Sequence, residues 1–166
     1  LHPKYTSGKI TLKKAYDSLL KSINKTHLKS NNILNIHFKE YRKRMLTHDP
    51  KVRDFIISLT KKYKVVALTN TEIEIFRINK KVNLYRHFEG IFSSTEIGAI
   101  KPSKKIYRHV LKVLKAKPEE AIFIDDRIEN AKGAASIGIH AIHYKGLKNL
   151  KKELKKLLHW TLRYRR

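Results

Sequence analysis

Residues Ile122-Phe123-Ile124-Asp125-Asp126 set a short apolar run against two adjacent carboxylates. If the run is a strand, both acids sit at its carboxyl end, where open α/β sheets bind ligands. Neighbouring carboxylates repel, so each favours a nearby cation. A hard, oxygen-seeking ion such as Mg²⁺ would relieve that repulsion. Two more groups follow the same plan. The run Val65-Val66-Ala67-Leu68 leads into Thr69-Asn70-Thr71, and Lys101 lies in a loop bracketed by Gly98 and Pro102. In a parallel sheet the carboxyl ends share one edge, so Thr69, Asn70, Lys101, Asp125 and Asp126 can converge. The set suits phosphoryl chemistry. A hydroxyl and backbone amides hold phosphate oxygens, a lysine offsets charge on the transferring group, and a carboxylate-bound Mg²⁺ does so from the other side.

Each group also has a plainer reading. Thr69-Asn70 could be a helix cap, Lys101 is one of 28 lysines, and the acids could be an N-cap beside a solvated side chain. The order and spacing of all three together favour a site.

The elements that must hold these residues can be read from apolar spacing. Residues 9–25 carry Ile10, Leu12, Ala15, Tyr16, Leu19, Leu20 and Ile23 at helical intervals, and residues 31–47 carry Ile33, Leu34, Phe38, Tyr41 and Met45. Asp49-Pro50 starts a third helix, an N-cap followed by proline at the first helical position. The first 60 residues thus read as helical. Beyond them come four short strands: a buried one at Val65–Leu68, Ile91-Phe92 closed by Ser93-Ser94, Ala121–Ile124, and Gly138–His143. Helices run between them to about Asn83, over 103–115, and over 147–158 with Leu147, Leu150, Leu154, Leu157 and Leu158 on one side. Alternating strands and helices predict an α/β fold with a parallel sheet covered on both faces. The boundary between a helical piece (1–60) and an α/β piece (61–166) lies near residue 60.

Composition bounds the rest. A chain of 166 residues suggests one domain with a small subdomain, and at that length it buries roughly 70% of its unfolded surface. The absence of cysteine excludes disulfides and thiolate sites and fits an intracellular, cytoplasmic protein. No apolar run approaches the roughly 20 residues that span a bilayer, and the first residues show no apolar signal-peptide core. The formal charge of +24 invites a nucleic-acid reading. Lysine outnumbers arginine 28 to 10, however, and the basic residues are spread along the chain rather than clustered. Codon bias is the simpler source, with weak, non-specific attraction to polyanions still expected. The nine histidines show no ligand spacing; His140 and His143 read as structural or exposed. The last helix reads as one that packs on the sheet rather than on a membrane surface.

These motifs resemble the haloacid dehalogenase (HAD) superfamily of hydrolases, in its branch with a helical cap inserted after the first strand. Val65–Asn70 resembles its second motif. Glu96-Ile97-Gly98-Ala99-Ile100-Lys101-Pro102, continuing to Ile106-Tyr107, resembles the lysine-centred third. Phe123–Asp126, with Asn130 and Ala134, resembles the acidic fourth, and Gly8-Lys9-Ile10-Thr11 resembles the start of a cap helix. The resemblance implies a Rossmann-like core (61–166) with a small α-helical cap (1–60). It implies roles as well. Thr69 would hydrogen-bond phosphoryl oxygens, and Asn70 would help position substrate. Lys101 would stabilise the nucleophile and the charged intermediate. Asp125 and Asp126 would bind Mg²⁺, with Asp126 as the direct ligand and Asp125 acting through water. Asn130 would brace the acidic loop.

One motif is absent. The family's first strand ends in Asp-x-Asp, whose first aspartate forms an aspartyl-phosphate and whose second is the general acid/base; these 166 residues contain no Asp-x-Asp. With Leu1 first and Met45 the only methionine, the chain reads as a fragment lacking its nucleophile and a central strand, inactive and poorly stable alone. The acidic pair favours a Mg²⁺-dependent phosphatase of a small phosphorylated metabolite over the metal-free dehalogenases. Epoxide hydrolase relatives share this kind of core, so the resemblance is also compatible with a module of a larger protein. The alternative is a non-catalytic, basic HAD-like protein that binds nucleic acid or a protein partner, to which the Arg163-Tyr164-Arg165-Arg166 tail would contribute. The cap sets the substrate in this family, and cap residues carry no transferable code.

Overall fold

The computed structural model describes residues 2–45 and 49–163. Leu1, residues 46 and 47 of the second expected helix, and Tyr164 to Arg166 of the basic tail lie outside them. The chain divides into two compact units, Leu1–Ile100 and Lys101–Arg166.

The first unit contains α1 (His2–Thr6), α2 (Leu12–Ser22), α3 (Ser30–Met45), α4 (Pro50–Thr60), β1 (Val66–Thr69), α5 (Ile73–Lys81), β2 (Gly90–Ser93) and α6 (Ser94–Ile97). Sequence chemistry accounts for the helix starts. Thr11 caps α2 by accepting from the Lys14 backbone amide, and Asp49 caps α4 by accepting from Lys51 with Pro50 at the first helical position. Gly8, at φ 74, turns the chain between α1 and α2. A Cβ there would lie 2.8 Å from the Thr95 carbonyl oxygen, so only glycine fits. Leu12, Ala15, Leu20, Ile75, Phe76 and Ala99 are buried. Leu19 and Ile23, which the helical spacing grouped with the α2 core stripe, are instead exposed. Described residues cover only one side of that stripe. Ser94 is fully buried and ties three segments together: its hydroxyl donates to the Thr6 carbonyl and accepts from the Thr71 amide.

The second unit contains α7 (Lys104–Leu114), a 3-10 turn at Pro118–Glu120, β3 (Ile122–Asp125), α8 (Ile128–Ala135), β4 (His140–His143) and α9 (Leu147–Arg163). Its core is Ile106, Tyr107, Val110 and Leu111 from α7, Ala131 and Ala134 from α8, Ile139 and Ile142 around β4, and Leu150 and Leu154 from α9. α8 packs on β3 and β4, and α9 packs on β4. Ser103 caps α7 by accepting from Lys105.

The α/β class and the parallel pairing agree with the sequence pattern. β1 pairs with β2 through α5, and β3 pairs with β4 through α8, each a βαβ unit. Among the described residues the strands form two separate two-stranded sheets rather than one continuous sheet. The runs expected to be buried are half-buried: no residue of β1 is fully covered, and Ile124 of β3 is exposed. Two strands have two edges and cannot enclose each other. The helix-to-α/β change falls near residue 60 as a change of element type, while the compact units divide after Ile100. No helix of the described residues is long and apolar enough to cross a membrane.

Candidate active site

In the second unit, β3 delivers Asp125 to its carboxyl end, opposite His143 of β4. The Lys101 ammonium donates to Asp125 Oδ2 at 2.7 Å, with the two side chains only 10% and 6% exposed. The other oxygen, Oδ1, accepts from the Arg127 backbone amide and from Asn130 Nδ2, each at 2.9 Å. An ion pair this buried is held only if its remaining lone pairs are satisfied, and here three donors satisfy them. Burial alone would raise the Asp125 pKa. The Lys101 ammonium, the Arg127 amide and the Asn130 amide outweigh it and hold the carboxyl below its ordinary value.

The frame around the pair is aromatic and close-packed. Lys101 Nζ lies 5.5 Å from the Phe123 ring centroid, and Tyr107 meets Phe123 edge-on at 5.2 Å. The Tyr107 hydroxyl donates to the Asn130 carbonyl at 2.8 Å. α7 thereby fixes the start of α8, and α8 fixes Asp125 through the Asn130 side chain. Burial, and then the Asp125 charge, push the Tyr107 phenol well above its usual pKa, so it stays a donor.

Asp126 is a different kind of acid. It is exposed, and among the described residues its carboxylate has no side-chain partner. Its backbone carbonyl meets His143 Nε2 at 3.0 Å. No three His, Asp or Glu side chains of the described residues cluster closely enough to cage a metal. Mg²⁺ needs no cage, since it keeps several waters and takes one or two carboxylates plus phosphate oxygens. Asp126 fits that requirement as a single open ligand. Asp125 fits it less directly, because both its oxygens are already engaged.

In the first unit, Thr69 closes β1 opposite Ser93, and Asn70 follows it; both are half-buried. Elsewhere in this unit the Tyr85 oxygen accepts from Asn79 Nδ2 at 3.0 Å, and Asn79 Oδ1 accepts from Tyr41 at 2.8 Å. Thus Lys101 is brought to Asp125, with Asp126 next to it in the chain. Tyr85, Asn79, Tyr107 and the Arg127 amide escaped the sequence reading. One signal was available: Asn79 shares the apolar face of α5 with Ile75 and Phe76, where a polar residue demands a partner.

A protein-family model for haloacid dehalogenase-like hydrolases matches residues 5–138. The chain belongs to this family. Among curated relatives, the HAD chain is similar to bifunctional epoxide hydrolase 2 of Rattus norvegicus, 39% identical over 74 residues, which is 45% of this chain and 13% of that protein. It is similar also to a sesquiterpene phosphatase of Aspergillus oryzae, 41% identical over 56 residues, 34% of this chain and 29% of that protein. The matches therefore span only a minor part of these relatives' lengths. In fold, it is similar to a HAD family enzyme of Bacteroides thetaiotaomicron, solved as an aspartate-to-alanine variant in complex with magnesium and inorganic phosphate. The TM-score is 0.67 at 24% identity, covering 86% of this chain and 74% of that one.

Proposed function

We propose that this HAD hydrolase chain carries the phosphate-, charge- and metal-handling residues of a Mg²⁺-dependent phosphatase acting on a small phosphorylated metabolite. The observation that carries the reading is the 2.7 Å Lys101–Asp125 pair at the end of β3, with the open Asp126 carboxylate next to it. In this reading Thr69 donates to phosphoryl oxygens and Asn70 orients the substrate. Lys101, oriented by Asp125, neutralises charge on the transferring group. Asp126 holds the ion directly, Asp125 stays one water away, and Asn130 braces the loop. A bound Mg²⁺ would supply charge neutralisation at the phosphoryl oxygens. The helices α1–α4, all within residues 1–60, serve as the substrate-selecting cap. The similarity to a phosphatase and to an enzyme solved with magnesium and phosphate supports this choice over a metal-free dehalogenase.

The family's aspartyl-phosphate route requires an Asp-x-Asp. The aspartates here are Asp17, Asp49, Asp54, Asp125 and Asp126, and none forms that motif. The proposal therefore places the nucleophile outside these 166 residues. The test has two arms. Isothermal titration with inorganic phosphate should show binding that requires Mg²⁺ and loses that requirement in Asp126→Asn. Residues 1–166 should not turn over p-nitrophenyl phosphate. Phosphate binding indifferent to Mg²⁺ and to Asp126 would remove the metal assignment, and robust Mg²⁺-dependent turnover would overturn the placement of the nucleophile.

A second reading rests on the charge of +24, which suits a non-catalytic HAD-like protein bound to nucleic acid or an acidic partner. α9 supports it with exposed Lys148, Lys151, Lys152, Lys155 and Lys156 opposite its buried leucines.

A further inference from the structure

Ser94, the first residue of α6, has no exposure, and the two residues it bonds, Thr6 and Thr71, are 3% and 5% exposed. A hydroxyl buried this deeply costs stability unless its bonds are made. The Ser94 hydroxyl both accepts and donates. Its oxygen accepts from the Thr71 amide at 3.0 Å. Its single proton goes to the Thr6 carbonyl, with the Thr71 carbonyl 3.3 Å away as a second acceptor. One atom thus joins segments 88 and 23 residues distant in sequence.

The sheet explains why a side chain is needed there. β1 and β2 pair in register as far as Thr69 opposite Ser93. Beyond that pair the two strands part. Ser93 caps α6 by accepting from the Thr95 amide, so β2 turns at once into a helix. β1 instead runs on through Asn70 and Thr71, which belong to no strand or helix, before α5 begins at Ile73. The Ser94 side chain reaches back across this gap to Thr71. Asn70 is therefore held on both sides, by the ladder at Thr69 and by Ser94 at Thr71.

The other end of the contact lies on α1. A helix leaves its last carbonyls without intrahelical partners, and Ser94 takes that of Thr6, the final residue of α1. The same segment is seated a second time two residues on, where a Cβ on Gly8 would lie 2.8 Å from the Thr95 carbonyl oxygen. The end of α1 thus abuts α6 at two points.

We propose that Ser94 is a positioning residue for the Thr69–Asn70 pair, fixing through Thr71 the turn that presents both side chains and tying that turn to the end of α1. The inference rests on the reading of Thr69 and Asn70 as phosphate- and substrate-binding groups. Through Ser94, the seating of the helical segment sets where Asn70 lies.

The test uses the 166-residue chain, NMR, and isothermal titration with inorganic phosphate in the presence of Mg²⁺. In the native chain the Thr71 amide should exchange slowly, and the Asn70 HN–Hα coupling should report one backbone conformer. A Thr71 amide exchanging at the rate of an open loop overturns the proposal without any variant. Ser94→Ala should quicken that exchange, average the Asn70 coupling and weaken phosphate binding about 2- to 10-fold, the worth of one neutral hydrogen bond. Thr95→Val is the control. Its hydroxyl bonds Ser93 at 2.7 Å, and its loss should lower the unfolding temperature while leaving Thr71 exchange and phosphate affinity as they were. Equal loss of affinity in both variants would make Ser94 merely structural and overturn its positioning role. Gly8→Ala, which pushes on the Thr95 carbonyl, should quicken Thr71 exchange as Ser94→Ala does; exchange left untouched removes the tie to α1. Thr69→Val and Asn70→Ala keep the two ideas apart. If neither changes phosphate affinity, the reading of the pair fails. If either weakens binding while Ser94→Ala does not, the positioning role fails.

Discussion

Gly133 of α8 and Pro102 meet backbone to backbone: a Cβ on Gly133 would lie 2.6 Å from the Pro102 carbonyl oxygen and 2.7 Å from its Cβ. The absent side chain lets α8 approach the segment that carries Lys101, on the same helix whose Asn130 holds Asp125. Glycine inside a helix ordinarily costs up to about 1 kcal/mol relative to alanine, so the contact reverses the usual sign of the exchange. Gly133→Ala should destabilise by about 1–3 kcal/mol through overpacking, and thermal unfolding followed by circular dichroism should show a lower midpoint. A midpoint that rises would mean the approach is loose.

Asp125 makes stability depend on acid. Its folded pKa lies below the ordinary value near 3.8, so the folded state holds fewer protons than the unfolded chain through that range. The stabilisation is complete above the ordinary aspartate pKa and is lost as pH falls through the folded value. Asp125→Asn should flatten this acid limb. At neutral pH it should cost about 3 kcal/mol, because the ammonium of Lys101 would remain largely buried without its carboxylate. Urea unfolding from pH 7 to pH 3 reads both effects. Parallel curves for the two proteins would contradict the assignment.

Tyr107 is 1% exposed, and Tyr107→Phe removes a hydroxyl bonded to the Asn130 carbonyl at 2.8 Å. The expected loss is about 1 kcal/mol. Because Asn130 links α8 to Asp125, amide exchange at Arg127, whose N–H also binds Asp125, should quicken in the variant. Unchanged exchange there, with the fold intact, would separate the tyrosine from the acidic loop.

Binding to a generic duplex should be weak and steeply salt-dependent if the charge acts only as a diffuse field. A fluorescence titration between 50 and 200 mM salt measures the slope. Tight binding that persists at the higher salt would favour the basic-protein reading, and negligible binding at the lower would end it.

Much of this architecture was legible because its signals are local. Asp49-Pro50 and the apolar runs before Thr69 and Asp125 each mark an element within a few residues. The short helices α1 and α6 complete too few turns to show a period. The Thr69–Asn70, Lys101 and Asp125–Asp126 groups were legible for the same reason, as chemistry placed at strand ends. Tyr41 and Asn79 were not, since 38 residues separate them and neither motif nor period joins them. Asp125 and Asp126 looked alike in sequence, and only burial tells them apart.

That difference in burial changes what an approaching anion would meet. Lys101 cancels the charge of Asp125 within 2.7 Å, so at a distance the strand end presents one net negative charge, that of Asp126, not two. A phosphate dianion drawn in by a strongly cationic chain would thus face half the repulsion the letters Asp-Asp suggest. One divalent ion on Asp126 would turn the remaining repulsion into attraction.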